Sequence, residues 1–335
     1  MLEHGGRLHL AVQTYGIPLT EWVDLSTGIN PRTYPIPPID PVCWNRLPED
    51  NDGLEAAAAA YYGNERLLIL SGSQAAIQTL PAMFKPGVVA CLSPMYEEHP
   101  HAWQRYGHKL RRLPNLPRAL AAMTPIVLLC NPNNPTGVTL SRDDLLDAAL
   151  QLQKRGGWLI VDEAFADHEP ENCVVTLAGS SEAPNLIVLR SLGKFFGLAG
   201  ARVGCIFGDA DILDRLRELL GPWPVSNPAR VVAREALSDS AWQSEARIQL
   251  AADSQRLALL LAPLGDITGT ALFCTLKLPD DAQMGERLHA LYDHFARRAI
   301  LTRRFDDHGR LRFGLPGNEI EWERLSVAID AWRGA

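Results

Sequence analysis

Lysine is scarce in this chain. Of 32 basic side chains only five are Lys (Lys85, Lys109, Lys154, Lys194 and Lys277), so a search for a reactive amine has five candidates. Basic residues are also outnumbered, 32 Lys and Arg against 39 Asp and Glu, which argues against a nucleic-acid partner. The six cysteines (Cys43, Cys91, Cys130, Cys173, Cys205 and Cys274) show no Cys-x-x-Cys spacing, which removes a zinc ribbon and a dithiol redox motif. His99 and His101 lack a third ligand at sensible spacing, so no metal is expected. No apolar run approaches the roughly 18 residues of a membrane span, so no membrane partner is expected. There is no secretory leader, and a cytoplasmic protein with reduced thiols is the expectation. A Gly-x-Gly-x-x-Gly turn after the first strand is missing too, which argues against a dinucleotide-binding dehydrogenase.

What is present has an ordered rhythm. At 335 residues the chain is long enough for one large domain and a smaller one. Its first 45 residues are rich in Gly, Pro and polar turns and read as an extended arm with little regular structure. A helix is expected after Asp52-Gly53, through Ala56–Ala60. Five short apolar runs follow, at Leu67–Leu70, Val88–Cys91, Ile126–Cys130, Trp158–Val161 and Leu186–Leu189. Without polar alternation they suit strands buried on both faces of a parallel sheet, with crossover helices in the intervals. After about residue 230 helices and strands take shorter connections, ending in a helix opened by an Asn318/Glu321 capping box. The expected architecture is therefore α/β: an arm over 1–45, a large domain over 46–230 with a mostly parallel central sheet flanked by helices, and a small α+β domain over 231–335.

Four of the apolar runs end in polar clusters: Ser71-Gly72-Ser73-Gln74, Asn131–Gly137, Asp162–Phe165 and Arg190–Lys194. Open parallel sheets bind ligands beyond the carboxyl ends of their strands, so these clusters would face one site. Gly72 and Ser73 would open a helix whose free amides suit a phosphate. Asp162 is placed to hold a positive charge. Lys194, with Ser191 three residues before it and Arg202 eight after, has the layout of a Schiff-base lysine beside a bound phosphate.

In order and spacing, Asn131-Pro-Asn-Asn-Pro-Thr-Gly137, Asp162-Glu-Ala-Phe165 and Ser191-Leu-Gly-Lys-Phe-Phe-Gly-Leu-Ala-Gly-Ala-Arg202-Val-Gly204 resemble the fold-type I aminotransferases, which use pyridoxal 5'-phosphate. The resemblance implies that Lys194 carries the cofactor, Asp162 pairs with its pyridine nitrogen and Asn134 bonds its ring oxygen. It assigns the phosphate to Ser73, Ser191 and Arg202 with the Gly72-Ser73-Gln74 turn, and a stacked ring to Tyr96. Phe165 stands where most relatives carry a tyrosine, so the ring oxygen has one donor fewer. Leu47 stands where a tyrosine usually reaches the neighbouring subunit's cofactor.

The chain ends narrow the choice. His4-Gly5-Gly6, Leu25–Pro31 and Pro222–Asn227 resemble the threonine-phosphate decarboxylases of cobalamin biosynthesis, with histidinol-phosphate aminotransferases as near relatives. What this implies is a homodimeric lyase that decarboxylates a small phosphorylated amino acid. His4, Gly5, Gly28, Asn134, Arg303 and Arg312 would contact that substrate. A phosphate-ester aminotransferase with the same lysine and arginines is the alternative.

Overall fold

The computed structural model describes residues 3–333. Two compact units divide the chain. The large one comprises Thr33–Asn134 and Thr139–Ser244; the small one takes the described residues up to Arg32, Pro135–Val138 and the chain from Glu245. The chain thus passes between units after Arg32 and Ser244, where the sequence places divisions after residues 45 and 230.

In the large unit a seven-stranded sheet is built from β1 (Leu67–Leu70), β2 (Val88–Leu92), β3 (Lys109–Leu113), β4 (Ile126–Cys130), β5 (Trp158–Asp162), β6 (Leu186–Ser191) and β7 (Gly204–Phe207). Its order is β1-β7-β6-β5-β4-β2-β3. Only β7 opposes its neighbours; the pairings from β6 through β5, β4 and β2 to β3 are parallel. All five residues of β4 and all six of β6 are buried, as their unbroken apolar character demands. β3, Lys-Leu-Arg-Arg-Leu, is an edge strand whose charged residues face water, and its three basic residues hid it in the sequence. The chain steps outward from β2 to β3 and then returns through β4, so the direction of winding reverses between β2 and β4.

The helices Glu98–Arg105, Leu116–Ala121 and Arg142–Gln153 supply the crossovers up to β5. Between β5 and β6 no α-helix forms; two 3-10 turns, Pro170–Asn172 and Val175–Leu177, replace the one the intervals suggest. A buried charge cluster secures this connection. Arg190 on β6 donates to Glu163 at 2.9 Å and to Asp167 at 2.7 Å, while the other Glu163 oxygen accepts from the Val174 amide at 2.7 Å. Burial opposes the guanidinium's charge, but Asp167, Cys173 and Glu163 outweigh it and keep Arg190 charged. Arg190→Met would strand two buried carboxylates, and a loss of about 3–5 kcal/mol in unfolding free energy is expected from urea titration.

The small unit holds a four-stranded antiparallel sheet of β8 (Asp266–Thr270), β9 (Phe273–Lys277), β10 (Arg303–Phe305) and β11 (Arg310–Gly314), ordered β10-β11-β9-β8. The first residues are more regular than their composition suggests, with a helix over Leu8–Tyr15 and a short strand, Val23–Asp24, paired parallel with Ile300–Leu301. Gly-rich flanks masked that helix, which buries Ala11 beside Trp22 and Leu301. The last helix, Glu319–Arg333, opens on Asn318, which accepts from the Glu321 amide at 3.1 Å; the return bond of a capping box is displaced by one residue, Glu321 accepting from the Gly317 amide at 2.7 Å.

Candidate active site

The carboxyl ends of β1, β2, β4, β5 and β6 carry the residues singled out in the large unit, except Arg202, which lies just before β7. Gly72 leads from β1 into the helix Ser73–Thr79 with φ +72°, and a Cβ on it would lie 2.7 Å from Arg202 Nη2. Glycine therefore leaves room for the guanidinium at the helix start, an arrangement of amides and cation that could seat an anion. Arg202 itself sits in the left-handed region at φ +54°, a conformation costing about 1–3 kcal/mol that concentrates at functional positions.

Gln74 links this seat to the next group. Its side chain accepts from the Tyr96 hydroxyl at 3.3 Å and donates to Glu98 at 3.0 Å. Burial, then Glu98 and Asp162, push the Tyr96 hydroxyl well up, so it stays neutral and donates. Asn133 donates to the Pro94 carbonyl at 2.9 Å, tying the Asn131–Gly137 loop to the segment bearing Tyr96. Asn131 holds the far side of that loop through both backbone groups of Leu140, at 2.7 and 3.1 Å, and so braces Asn134.

Asp162 ends β5 with its carboxylate buried. One oxygen accepts from the Ala164 amide at 3.0 Å and the other meets His99 Nε2 at 2.8 Å. Spacing gave no reason to couple His99 to Asp162, because 63 residues separate them. Cys130 completes a cluster whose ligand-type atoms lie within 4.8 Å of one another, a third group the sequence did not reveal for His99. Burial, then Asp162, raise the Cys130 thiol far above its usual range, keeping it protonated and unsuited to ligate a metal. The cluster therefore reads as support for Asp162. His99→Ala is expected to weaken cofactor retention roughly tenfold, measured by dialysis and cofactor absorbance.

Ser191 closes β6 and is buried, and Lys194 follows with its Nζ 5.3 Å from the centre of the buried Phe165 ring. Behind the lysine, Phe196 stacks on Trp242 at 5.7 Å, Phe195 meets the same indole edge-on at 5.7 Å, and the Tyr34 amide donates to the Phe196 carbonyl at 2.9 Å. This aromatic clamp fixes the segment that presents the amine.

In the small unit β10 and β11 place Arg303 directly opposite Arg312. That register separates them from Arg304 and Arg310, which pair with Leu311 and Phe305. Both guanidiniums flank the Phe305 ring, at 5.1 and 5.7 Å from its centre, and Arg312 also donates to the Ser26 carbonyl at 2.9 Å. Gly5 packs on the same carbonyl, and Gly28 lies buried two residues beyond Ser26. His4, Gly5, Ser26 and Arg303 line one cavity of about 220 Å³. Of the expected substrate contacts, Asn134 alone belongs to the large unit.

A parallel sheet with a lysine, a buried aspartate and an arginine at its strand ends defines a class of cofactor-dependent enzyme. The chain belongs to the aminotransferase class I and II family, whose model matches residues 47–321. It is 50% identical over 337 residues to the threonine-phosphate decarboxylase of Pseudomonas aeruginosa, covering 98% of this chain and 97% of that one. The threonine-phosphate decarboxylase of a Sinorhizobium species is 37% identical, with 97% of each chain covered. Among solved structures, the histidinol-phosphate aminotransferase of Sinorhizobium meliloti in complex with pyridoxal-5'-phosphate superposes with a TM-score of 0.84 at 18% identity, over 99% of this chain and 96% of that one. The last likeness speaks to the fold.

Proposed function

We propose that the protein decarboxylates L-threonine O-3-phosphate to (R)-1-amino-2-propanol O-2-phosphate and carbon dioxide, as a pyridoxal-phosphate enzyme of cobalamin biosynthesis. The observation that carries this reading is the 50% identity over nearly the whole chain to a threonine-phosphate decarboxylase. The residues suit the cofactor. The space that Gly72 leaves beside Arg202, with Ser73 and Ser191, fits its phosphate; the His99-braced carboxylate of Asp162 fits its ring nitrogen; Lys194 supplies the amine. When bound, the cofactor supplies an electron sink for the pair released at Cα.

The chain's own groups then decide which bond breaks. That choice would be set by how this chain's anchoring residues orient the substrate against the cofactor. Arg303 and Arg312 offer planar forks that match a phosphate or carboxylate two bonds at a time. With the cofactor bound, the Asp162 carboxylate would hold a proton at the ring nitrogen, and Lys194 Nζ would deliver the proton that replaces carbon dioxide at Cα. Phe165 offers no donor to the ring oxygen, which leaves that contact to Asn134.

Incubation with L-threonine O-3-phosphate in the absence of any 2-oxo acid tests the reading. Phosphorylated aminopropanol should accumulate over many turnovers. A requirement for 2-oxoglutarate, with amino transfer from histidinol phosphate, would assign the chain to the aminotransferases instead.

We further propose a cytoplasmic homodimer. Ile36, Trp44 and Leu47 are exposed apolar side chains that a second copy would cover, and Leu47 would give that contact without a tyrosine hydroxyl. No helix among the described residues is long and apolar enough to cross a membrane.

A further inference from the structure

Two helices of the large unit, Ser73–Thr79 and Glu98–Arg105, pack together and begin beside groups assigned to the cofactor, the first at Ser73 and the second just after Tyr96. A chain of polar side chains joins them. Resting on the pyridoxal-phosphate reading above, we propose that Glu98 is a positioning residue. It fixes which way the Gln74 amide points, so that the Tyr96 hydroxyl must donate to it, and thereby locks the Tyr96 ring for the stacking contact expected of it.

Helical spacing puts the members of the chain face to face. Gln74 and Gln78 lie one turn apart on the first helix, and Glu98 and Arg105 lie two turns apart on the second. Glu98 Oε2 accepts from Gln74 Nε2 at 3.0 Å and from Gln78 Nε2 at 2.8 Å. At one end Arg105 Nη1 donates to Gln78 Oε1 at 2.9 Å; at the other the Tyr96 hydroxyl donates to Gln74 Oε1 at 3.3 Å. Gln74, Gln78, Tyr96 and Glu98 are all half-buried, while Arg105 reaches the surface.

The direction of this chain is set by its charged members. A glutamine amide can present either end, and a hydroxyl can donate or accept. A guanidinium only donates and a carboxylate only accepts. Arg105 therefore claims the Gln78 oxygen and turns the Gln78 amino group toward Glu98. Glu98 claims the Gln74 amino group in the same way, which leaves the Gln74 oxygen for Tyr96. A carbonyl oxygen meets a hydroxyl only as acceptor, so Tyr96 has to donate. Burial, then the Glu98 charge, keep that proton on the Tyr96 oxygen. Bonds to the carboxylate are about twice as strong as neutral ones, so they orient the longer Tyr96 bond and not the reverse. The next residue, His99, meets Asp162 at 2.8 Å, so adjacent residues of one helix brace both Tyr96 and Asp162.

Affinity for pyridoxal 5'-phosphate and the visible circular dichroism of the bound cofactor test this in Glu98→Ala, Glu98→Gln, Tyr96→Phe and the two double variants. Glu98→Ala should weaken cofactor affinity by about 10-fold, the scale of a hydrogen bond to a charged group, and shrink the dichroism band. Glu98→Gln should cost about threefold, because it keeps an acceptor oxygen but loses the charge and the fixed direction. Tyr96→Phe retains the ring and removes the hydroxyl. In that background Glu98→Ala and Glu98→Gln should each cost less than about twofold, the non-additivity expected of residues in one network. Equal losses in both backgrounds would make Glu98 a merely structural residue and overturn the proposal. Parent affinity with a full dichroism band in Glu98→Ala would overturn it too. Glu98→Gln preserves the side chain's shape, so the comparison of backgrounds can be read from it even if Glu98→Ala folds poorly. Neither measurement needs turnover, so both judge Glu98 whether the protein releases carbon dioxide or transfers an amino group. A parent protein that takes up no pyridoxal phosphate would sink the cofactor reading itself, and the proposal with it.

Discussion

Replacing Lys194 with Ala should lower carbon dioxide release from L-threonine O-3-phosphate by at least about 10³-fold, within the range for removing a positioned acid–base group. Two losses combine in that figure. On the roles proposed for Lys194, the amine that would hold the cofactor covalently disappears, and so does the proposed proton donor for Cα. The segment should otherwise keep its place, because Phe195, Phe196, Trp242 and Tyr34 clamp it without using the lysine. Borohydride reduction followed by peptide mass analysis should find the cofactor on Lys194 in the parent protein and on no residue of the variant. Activity within tenfold of the parent would remove Lys194 from the mechanism.

Asp162→Asn should cost on the order of 10²- to 10³-fold in turnover, the scale for losing one preorganised electrostatic partner. Asn preserves the shape and still meets His99 and the Ala164 amide, so the effect isolates the charge. Without that charge, residue 162 would no longer hold a proton at the ring nitrogen, and the electron sink the cofactor supplies would weaken. Cofactor should still attach through Lys194, giving a loaded but slow protein, whereas the Lys194 variant carries no covalently held cofactor. Full activity in Asp162→Asn would show that the carboxylate's charge is not used. Comparison with His99→Ala is informative: His99 acts through Asp162, so its removal should cost less than removing the charge.

The strands that carry the candidate site are legible in the sequence, for identifiable reasons. Strands β1 and β4 begin and end where unbroken apolar runs begin and end, because both faces of the central sheet are covered. The residues at their carboxyl ends had to be polar, and the parallel topology then gathers Ser73, Asn134, Asp162, Ser191 and Lys194 on one side. β3 was missed because an edge strand can carry Lys and Arg. The link between β5 and β6 defied expectation because a buried Arg190 network secures the chain where a helix was anticipated.

Residues that act through contacts across long separations were the least legible. His99 is an unremarkable histidine in Glu-Glu-His-Pro-His until the sheet brings it to Asp162. Arg303 and Arg304 cannot be told apart by composition; the β10/β11 register sets Arg303 opposite Arg312 and sends Arg304 toward Asp306 and the Tyr292 ring.

The most direct test of the central claim is to follow the carboxyl carbon. With L-threonine O-3-phosphate labelled at C1 and no amino acceptor present, the label should leave entirely as carbon dioxide, one equivalent for each phosphorylated amine formed. Label retained in a phosphorylated keto acid, formed only when 2-oxoglutarate is supplied, would contradict the account and make the protein an aminotransferase.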